Sequence, residues 1–233
     1  MILNIETSSK VCSVALCHGG EAEFHIESDP DMQHAALLAP YVERCMNHLA
    51  RREADLDAVA VSIGPGSYTG LRIGLSLAKG LCFSRNIPLI TIPTLEILAV
   101  KAMFRSSDWE GDEIIIPMTD ARRMEVYTAV YDSALNELLQ PRPMILDSES
   151  FAEFTGENRK VVFIGDAVGK AQTVISAPSA EWIDATPLAL DMNALAEKAL
   201  RESRFADIAY TTPEYMKEYQ ATIPANPLNK TLR

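Results

Sequence analysis

The chain has 233 residues, and 48% of them are hydrophobic, which is enough for a buried core in one large domain or two smaller ones. Its formal net charge of −11 means that most of the surface repels a phosphate backbone, so we expect no direct nucleic-acid binding by this chain alone. The opening residues 1–6 lack the basic region of a signal peptide, and no run of about 18 apolar residues could span a membrane. These features predict a cytoplasmic protein without a membrane partner.

The cysteine and histidine content argues against a metal centre. The four cysteines form no Cys-x-x-Cys pair, and the four histidines form no His-x-x-x-His pair. His34 and His48 could share one helix face, but fourteen residues of helix would separate them by about 21 Å. We therefore expect reduced thiols and no metal ligands.

The first half of the chain predicts a mixed sheet with helices. Apolar runs over 1–5, 11–17 and 21–28 are typical of strands, and Gly19-Gly20 predicts the tight turn between the second and third. Alternating helical and strand patterns follow: helix 33–52, strand 58–63, helix 70–85, strand 88–92 and helix 94–103. The polar stretch 105–111 is the best boundary, and it divides the chain into domains 1–106 and 107–233.

Helices 33–52 and 70–85 are apolar over more of their circumference than a surface helix needs. Each has one apolar stripe that would face the sheet and a second stripe beside it. Either both stripes pack within the home domain, or one of them meets a second protein. On the second interpretation, the predicted partner interface consists of Leu37, Tyr41, Arg44, His48, Leu71, Gly74, Leu75 and Ala78.

A glycine-rich loop joins strand 58–63 to helix 70–85. It consists of Gly64, Pro65, Gly66, Ser67, Tyr68, Thr69 and Gly70. The loop lacks the Gly-Lys-Ser/Thr of a phosphate-binding loop, is one residue too long for a dinucleotide fingerprint, and has Pro65 where a nucleophile elbow needs glycine. Ser67 and Thr69 are instead predicted to cap the following helix, since their hydroxyl oxygens can accept from its free N–H groups.

The second half repeats the order of the first. An apolar strand over 114–119 is followed by Asp120 and by a returning strand over 124–131. A third strand near 144–146 precedes a short helix capped by Ser148 and a strand over 161–164. A last helix, capped by Asn193, is expected before a tail over 210–233 that wraps back on the body.

The duplicated β-β-β-α-β-α order predicts an α/β fold of two halves around a cleft. That cleft would contain the acids at the two first-strand turns together with neighbouring hydroxyls: Glu6, Thr7, Ser8 and Asp120. In a phosphoryl-transfer enzyme of this layout, such acids hold Mg²⁺ and activate a nucleophile. Polar residues also commonly end strands, so a purely structural role stays open.

The glycine loop and the helix after it resemble the signature of the TsaB (YeaZ) family of bacterial tRNA threonylcarbamoyladenosine biosynthesis proteins. Residues 63–74 carry the resemblance, with Ala78-Lys79-Gly80 behind them. Weaker similarities to the family lie at 5–8, 120–127, 165–167 and 213–216. One departure is Glu6, where the family commonly has Asp, and the longer acid makes retained nucleotide chemistry less expected.

The resemblance implies two RNase H-like halves of the actin-like ATPase and sugar kinase (ASKHA) fold. It implies a non-catalytic subunit that binds and supports the metal-bearing transferase TsaD, with the ATPase TsaE joining. The complex would form N6-threonylcarbamoyladenosine in tRNAs that read codons beginning with A, and the partners would contact the tRNA. This chain would need no cofactor of its own, and any ATP would lie at an interface of the complex. Alone it would form a homodimer through the same face, built from helices 33–52 and 70–85.

Two enzymatic alternatives remain beside this implication. A small-molecule kinase or ATPase of the same fold would use Glu6, Thr7, Ser8 and Asp120 to bind magnesium and nucleotide. A peptidase, an older assignment for related proteins, would need a metal pair or a serine elbow, and the sequence offers neither.

Overall fold

The computed structural model describes residues 1–30, 34–106, 109–156 and 160–217. Within them the chain forms two five-stranded mixed sheets covered by helices. The first half contains β1 (Ile2–Glu6), β2 (Ser13–His18), β3 (Glu21–Glu27), α1 (His34–Arg51), β4 (Ala58–Gly64), α2 (Tyr68–Arg85), β5 (Leu89–Pro93) and α3 (Thr94–Arg105). The second half contains β6 (Ile114–Asp120), β7 (Glu125–Tyr131), β8 (Glu137–Ile145), β9 (Val161–Ile164), α4 (Val168–Ala171), β10 (Glu181–Ile183), a 3₁₀ helix (Ala189–Met192) and α5 (Asn193–Arg201). No helix in these ranges combines the length and apolar content that crossing a membrane requires.

The first sheet has the strand order β3-β2-β1-β4-β5. β1 pairs antiparallel with β2 and parallel with β4, and β4 pairs parallel with β5. Gly19 and Gly20, both at positive φ, turn the β2–β3 hairpin as predicted. β1 and β4 are buried along their whole length because α1 and α2 cover one face of the sheet and α5 covers the other.

The second sheet repeats this connectivity in the order β8-β7-β6-β9-β10. β8 is longer than the predicted strand near 144–146. The predicted short helix with a Ser148 cap is wrong, since turns occupy residues 148–155. Phe151 has a φ of 65°, a left-handed conformation that cannot continue an α-helix. Phe151 and Phe154 are nevertheless buried.

α3 lies between the two sheets and packs on both. Ile97 and Val100 join the core of the first sheet, whereas Leu95, Leu98 and Ala102 join the core of the second. Residues 94, 95 and 97–102 of this helix are all buried, Lys101 included. Lys101 donates to Asp191 Oδ2 at 2.7 Å and to Thr186 O at 2.8 Å, so a buried ion pair ties α3 to the 3₁₀ helix.

The C-terminal part of the chain returns to the first half. α5 packs against the first sheet through Leu195, Ala196 and Ala199. Ala206 bridges Leu89 of β5, and residues 206–216 then continue along α2, which confirms the predicted wrapping for the part of the tail that the structure describes. The division at 106/107 stays a prediction, but α5 packs with the N-terminal sheet. The predicted Asn193 cap is wrong, because α5 continues directly from the 3₁₀ helix and Asn193 makes no capping bond.

Candidate functional site

The glycine loop packs on the turn that follows β1. The Ser67 N–H donates to Ser8 O at 2.7 Å, and the main chain of Gly66 and Gly70 lies against the carbonyl oxygens of Ser8 and Thr7. A side chain at either glycine would overlap those oxygens, so this approach requires glycine. The loop therefore braces the β1 turn from inside the fold.

Ser67 caps α2 as predicted, because its Oγ accepts from the Gly70 N–H at 3.2 Å. The predicted cap at Thr69 is wrong, since α2 begins at Tyr68 and Thr69 lies in its first turn. The loop bends at Gly64, whose φ is +124°, and a cis peptide joins Gly64 to Pro65. Four consecutive residues of the loop, 66–69, are exposed.

The C-terminal segment holds the other side of the loop. The Glu214 N–H donates to Ile63 O at 2.9 Å, and a Cβ on Gly64 would lie 2.7 Å from Glu214 O. The rings of Tyr215 and Tyr68 are 4.9 Å apart, and the Arg72 guanidinium lies 5.1 Å from the Tyr68 ring centroid. Nothing in the sequence patterns predicted this contact, because it joins positions almost 150 residues apart.

A cavity of about 530 Å³ separates the two halves where β1 and β6 end. Its lining includes Ser8, Ser9, Lys10, Ser67, Thr119, Asp120 and Asp166. The predicted cleft is therefore present, and Ser8 and Asp120 line it. The other two predicted cleft residues, Glu6 and Thr7, do not line it and are fully buried.

Asp120 is exposed at the cleft and paired with a lysine. Its Oδ1 forms an ion pair with Lys170 Nζ and accepts from the Arg122 N–H at 3.0 Å. Asp166 Oδ1 accepts from the Asp120 N–H at 2.9 Å, and burial raises the pKa of Asp166. In the part of the chain that the structure describes, no three acidic, histidine or cysteine side chains are grouped to hold a metal ion. The prediction of no metal site stays a prediction.

Glu6 is buried at the end of β1 on the face of the sheet away from α2, since its neighbours Ile5 and Thr7 face the helices α1 and α2. Its Oε1 accepts from the Ser8 N–H at 2.5 Å, while Oε2 is buried without a partner among the described residues. Burial raises the pKa of Glu6 from 4.5 to about 7 because desolvation disfavours the carboxylate. A carboxyl held in this way is poorly placed to ligate magnesium in the cleft.

Comparison with known proteins places this architecture in a family. A protein-family model described as TsaD: tRNA N6-adenosine threonylcarbamoyltransferase matches residues 29–226. The Bacillus subtilis tRNA threonylcarbamoyladenosine biosynthesis protein TsaB is 32% identical over 166 residues, which cover 70% of each chain. This chain belongs to the TsaB family. The Escherichia coli TsaB protein is 35% identical over 130 residues, covering 56% of this chain and 54% of that protein.

Solved structures agree with the family and with the predicted fold. YeaZ from Pseudomonas aeruginosa superposes with a TM-score of 0.76 at 27% identity, covering 92% of this chain and 98% of that one. The activator of the 2-hydroxyisocaproyl-CoA dehydratase from Clostridium difficile, solved with bound ADPNP, has a TM-score of 0.52 at 12% identity, covering 87% and 96%. The second likeness shows the fold alone. Two RNase H-like halves of the ASKHA fold are thereby confirmed.

Three charged residues at the cleft of this TsaB family member, two in its lining and one paired with Asp120, were not selected from the sequence. They are Lys10, Asp166 and Lys170. Asp166 could have been found, because β9 pairs parallel with β6 and the carboxyl ends of parallel neighbours meet at one edge. Lys170 has no comparable signal, since its contact with Asp120 depends on how the short helix α4 is oriented.

The predicted partner residues on α2 face the first sheet, where they are buried and not available to a partner. Leu71, Gly74, Leu75 and Ala78 are buried in the core of the first half, because the small residues on this face let α2 approach β4 and Thr7 closely. The half-buried face of α2 instead consists of Ile73, Leu77 and Leu81. Lys79 on the opposite flank contacts Ala209 O, so this apolar face is directed toward α1.

The predicted partner residues on α1 lie on its flank next to β3. His48 stacks on Phe24 of β3, with the ring centroids 5.1 Å apart. Leu37, Tyr41 and His48 are half-buried and Arg44 is exposed. Met46, at the opposite flank of α1, is half-buried and packs with the same core as the α2 face. We use the name α1/α2 seam for Met46, Ile73, Leu77 and Leu81.

Proposed function

We propose that this chain is a non-catalytic subunit of the complex that forms N6-threonylcarbamoyladenosine in tRNAs reading codons that begin with A. In this role it binds and supports the metal-bearing transferase TsaD, with TsaE. The observation that carries the proposal is the state of the two first-strand acids. Glu6 is fully buried and does not line the cleft, and Asp120 is paired with Lys170. Glu6 is therefore withdrawn from the cleft, and Asp120, although its side chain is 51% exposed, already pairs with a lysine, so the two acids are poorly arranged to hold the magnesium and nucleotide that phosphoryl transfer requires.

The α1/α2 seam supports the partner role. Its four apolar side chains are only half covered by the chain itself, and the exposed Gly80 adjoins Ile73 and Leu77 on the same surface of α2. Half-covered apolar side chains on adjacent helices can bury their remaining surface against a partner. TsaD is the proposed partner at the seam, and a second copy of this chain would occupy it in the absence of TsaD.

The binding of tRNA is assigned to the partners. The net charge of −11 repels the phosphate backbone over most of the surface, so this subunit would contribute through TsaD rather than by holding the tRNA itself. The chain would need no cofactor, with any ATP at an interface of the complex, and a cytoplasmic location follows from this role.

The test is reconstitution of tRNA modification from purified TsaD and TsaE with and without this chain. We expect modification only when the chain is added, and no ATP turnover by the chain alone with magnesium present. Tight ATP binding with turnover by the isolated chain, and modification independent of it, would favour the kinase or ATPase alternative. The variant Asp120→Asn separates the two outcomes, because it should leave reconstituted modification intact and would abolish magnesium-dependent turnover in an ATPase.

A further inference from the structure

A second pocket, of about 270 Å³, lies between β3 and the C-terminal half of α1. It is lined by Phe24, Arg44, Asn47, His48 and Arg51. Arg44, His48 and Arg51 are spaced four and three residues apart, so their side chains leave the same side of α1. The pocket is on the β3 flank of this helix, whereas Met46 of the α1/α2 seam is on the opposite flank.

The two arginines of the pocket have no acidic partner among the residues that the structure describes. Among the residues that the structure describes, neither Arg44 nor Arg51 forms an ion pair or a hydrogen bond. The neighbouring Arg52 does pair, with its Nη2 3.1 Å from Glu23 Oε2, so the nearby carboxylate of β3 is already used. Two arginines without an acidic partner are unexpected in a chain with 32 acidic and 21 basic residues.

His48 adds a fixed imidazole to the pocket. Its stacking on Phe24 at an interplanar angle of 25° holds the ring, and its Nε2 is buried with no hydrogen-bond partner among the described residues. A buried polar atom of this kind normally has a partner. Basic residues in the last helical turn also complement the helix dipole, but that effect does not reach Arg44, seven residues before the end of α1.

We propose that this pocket binds a phosphate group. Guanidinium groups match the oxygens of phosphate with paired N–H donors, and the Asn47 amide adds further donors at the same pocket. The volume is below that of a typical drug-sized site and suits a phosphate with part of its ester substituent. The phosphate could belong to a free monoester or to the diester backbone of an RNA. The proposal does not depend on the pairing with TsaD.

The experiment titrates inorganic phosphate into the full chain and follows the side-chain resonances of Asn47 and His48 by NMR at constant ionic strength. We expect saturable shifts at these residues and at least a tenfold higher Kd for Arg44→Gln. Arg44→Lys should have an intermediate Kd, because lysine keeps the positive charge but lacks the paired N–H donors of the guanidinium. Arg201→Gln, in the last turn of α5 on the other face of the sheet, should change the Kd less than twofold. Shifts that do not saturate, or that chloride reproduces, would overturn the proposal.

Three further titrations identify the source of the phosphate. Adenosine monophosphate binding more tightly than a short single-stranded RNA would assign the site to a free monoester, and the reverse order would assign it to the RNA backbone. Acetate binding as tightly as inorganic phosphate would overturn the assignment to phosphate in favour of a carboxylate. Each titration is repeated with Arg51→Gln, at the other end of the pocket, so that a local folding defect caused by the substitution at Arg44 is not mistaken for a loss of binding.

Discussion

Gly74 of α2 lies directly against the side chain of Thr7, and a methyl group at Gly74 would overlap Thr7 Oγ1. This contact fixes the distance between α2 and the turn after β1. It also explains why the face of α2 that carries Gly74 belongs to the core rather than to a partner. The glycine loop and α2 thus brace the turn that follows β1.

Gly74→Ala should lower the free energy of unfolding by about 1–3 kcal/mol, the usual cost of forcing an extra carbon into a packed site. Gly80→Ala in the same helix is the matched control, because nothing lies within 4 Å of a Cβ at Gly80. The control should be stabilised by up to about 1 kcal/mol through helix propensity. Urea unfolding of both variants measures the difference, and equal stabilisation of the two would show that Gly74 is not tightly packed.

The stability of the chain should fall as the pH rises from 4.5 to 7 because of Glu6. Its folded-state pKa of about 7 lies above the unfolded value of 4.5, so the folded state holds the proton more tightly. At about 1.4 kcal/mol per pH unit, the contribution lost by pH 8 is about 3 kcal/mol. Glu6→Gln cannot ionise and should lack this loss.

The measurement is the free energy of unfolding of both proteins at pH 5 and pH 8. The difference between them isolates Glu6 from the other carboxyl groups. A Glu6→Gln protein with the same pH dependence as the parent chain would mean that Glu6 is not desolvated as the structure indicates.

Tyr215→Ala should loosen the glycine loop. The tyrosine ring packs on Tyr68 next to the Glu214–Ile63 hydrogen bond, and aromatic pairs contribute about 0.5–1.5 kcal/mol beyond their buried area. Faster hydrogen exchange at the amides of residues 64–70 would report the change. Tyr210→Ala is the control, since Tyr210 is 84% exposed, and it should leave exchange in the loop unaltered.

Lys101→Met should destabilise the chain by about 3–5 kcal/mol, because it leaves the Asp191 carboxylate without its buried partner. The double variant Lys101→Met/Asp191→Leu should recover much of that loss, since replacing both members of a buried pair is often neutral. Thermal or urea unfolding of the single and double variants gives the coupling free energy between Lys101 and Asp191. No recovery in the double variant would show that the ion pair is not the reason for the loss.

The order of strands and helices could be predicted from the sequence because apolar periodicity is a local property. The glycine loop, the hairpin at Gly19-Gly20 and the repeated first-strand turns were all recognised in this way. The face of α2 could not be, because its two apolar stripes differ little in hydrophobicity. What decides between them is the close approach of Gly74 to Thr7, a contact between residues 67 positions apart.

The same limit applies to the cleft and to the C-terminal segment. Glu6 is a strand-end acid in the sequence, but whether its side chain lines the cleft depends on the long-range packing around the end of β1. α5 is separated from β5 by about a hundred residues, so no local pattern shows that it packs on the first sheet. Long-range packing decided each of these positions.

The binding of TsaD tests the central claim most directly, with Gly80→Arg as the variant. Gly80 is exposed beside the α1/α2 seam, and a side chain there meets nothing of this chain, so the added arginine should leave the fold intact. Gly169→Arg on α4 is the matched control, as an equally unobstructed helical glycine away from the seam. The account predicts that Gly80→Arg abolishes co-purification with TsaD and reconstituted tRNA modification, while Gly169→Arg retains both. Full co-purification and modification with Gly80→Arg would contradict it.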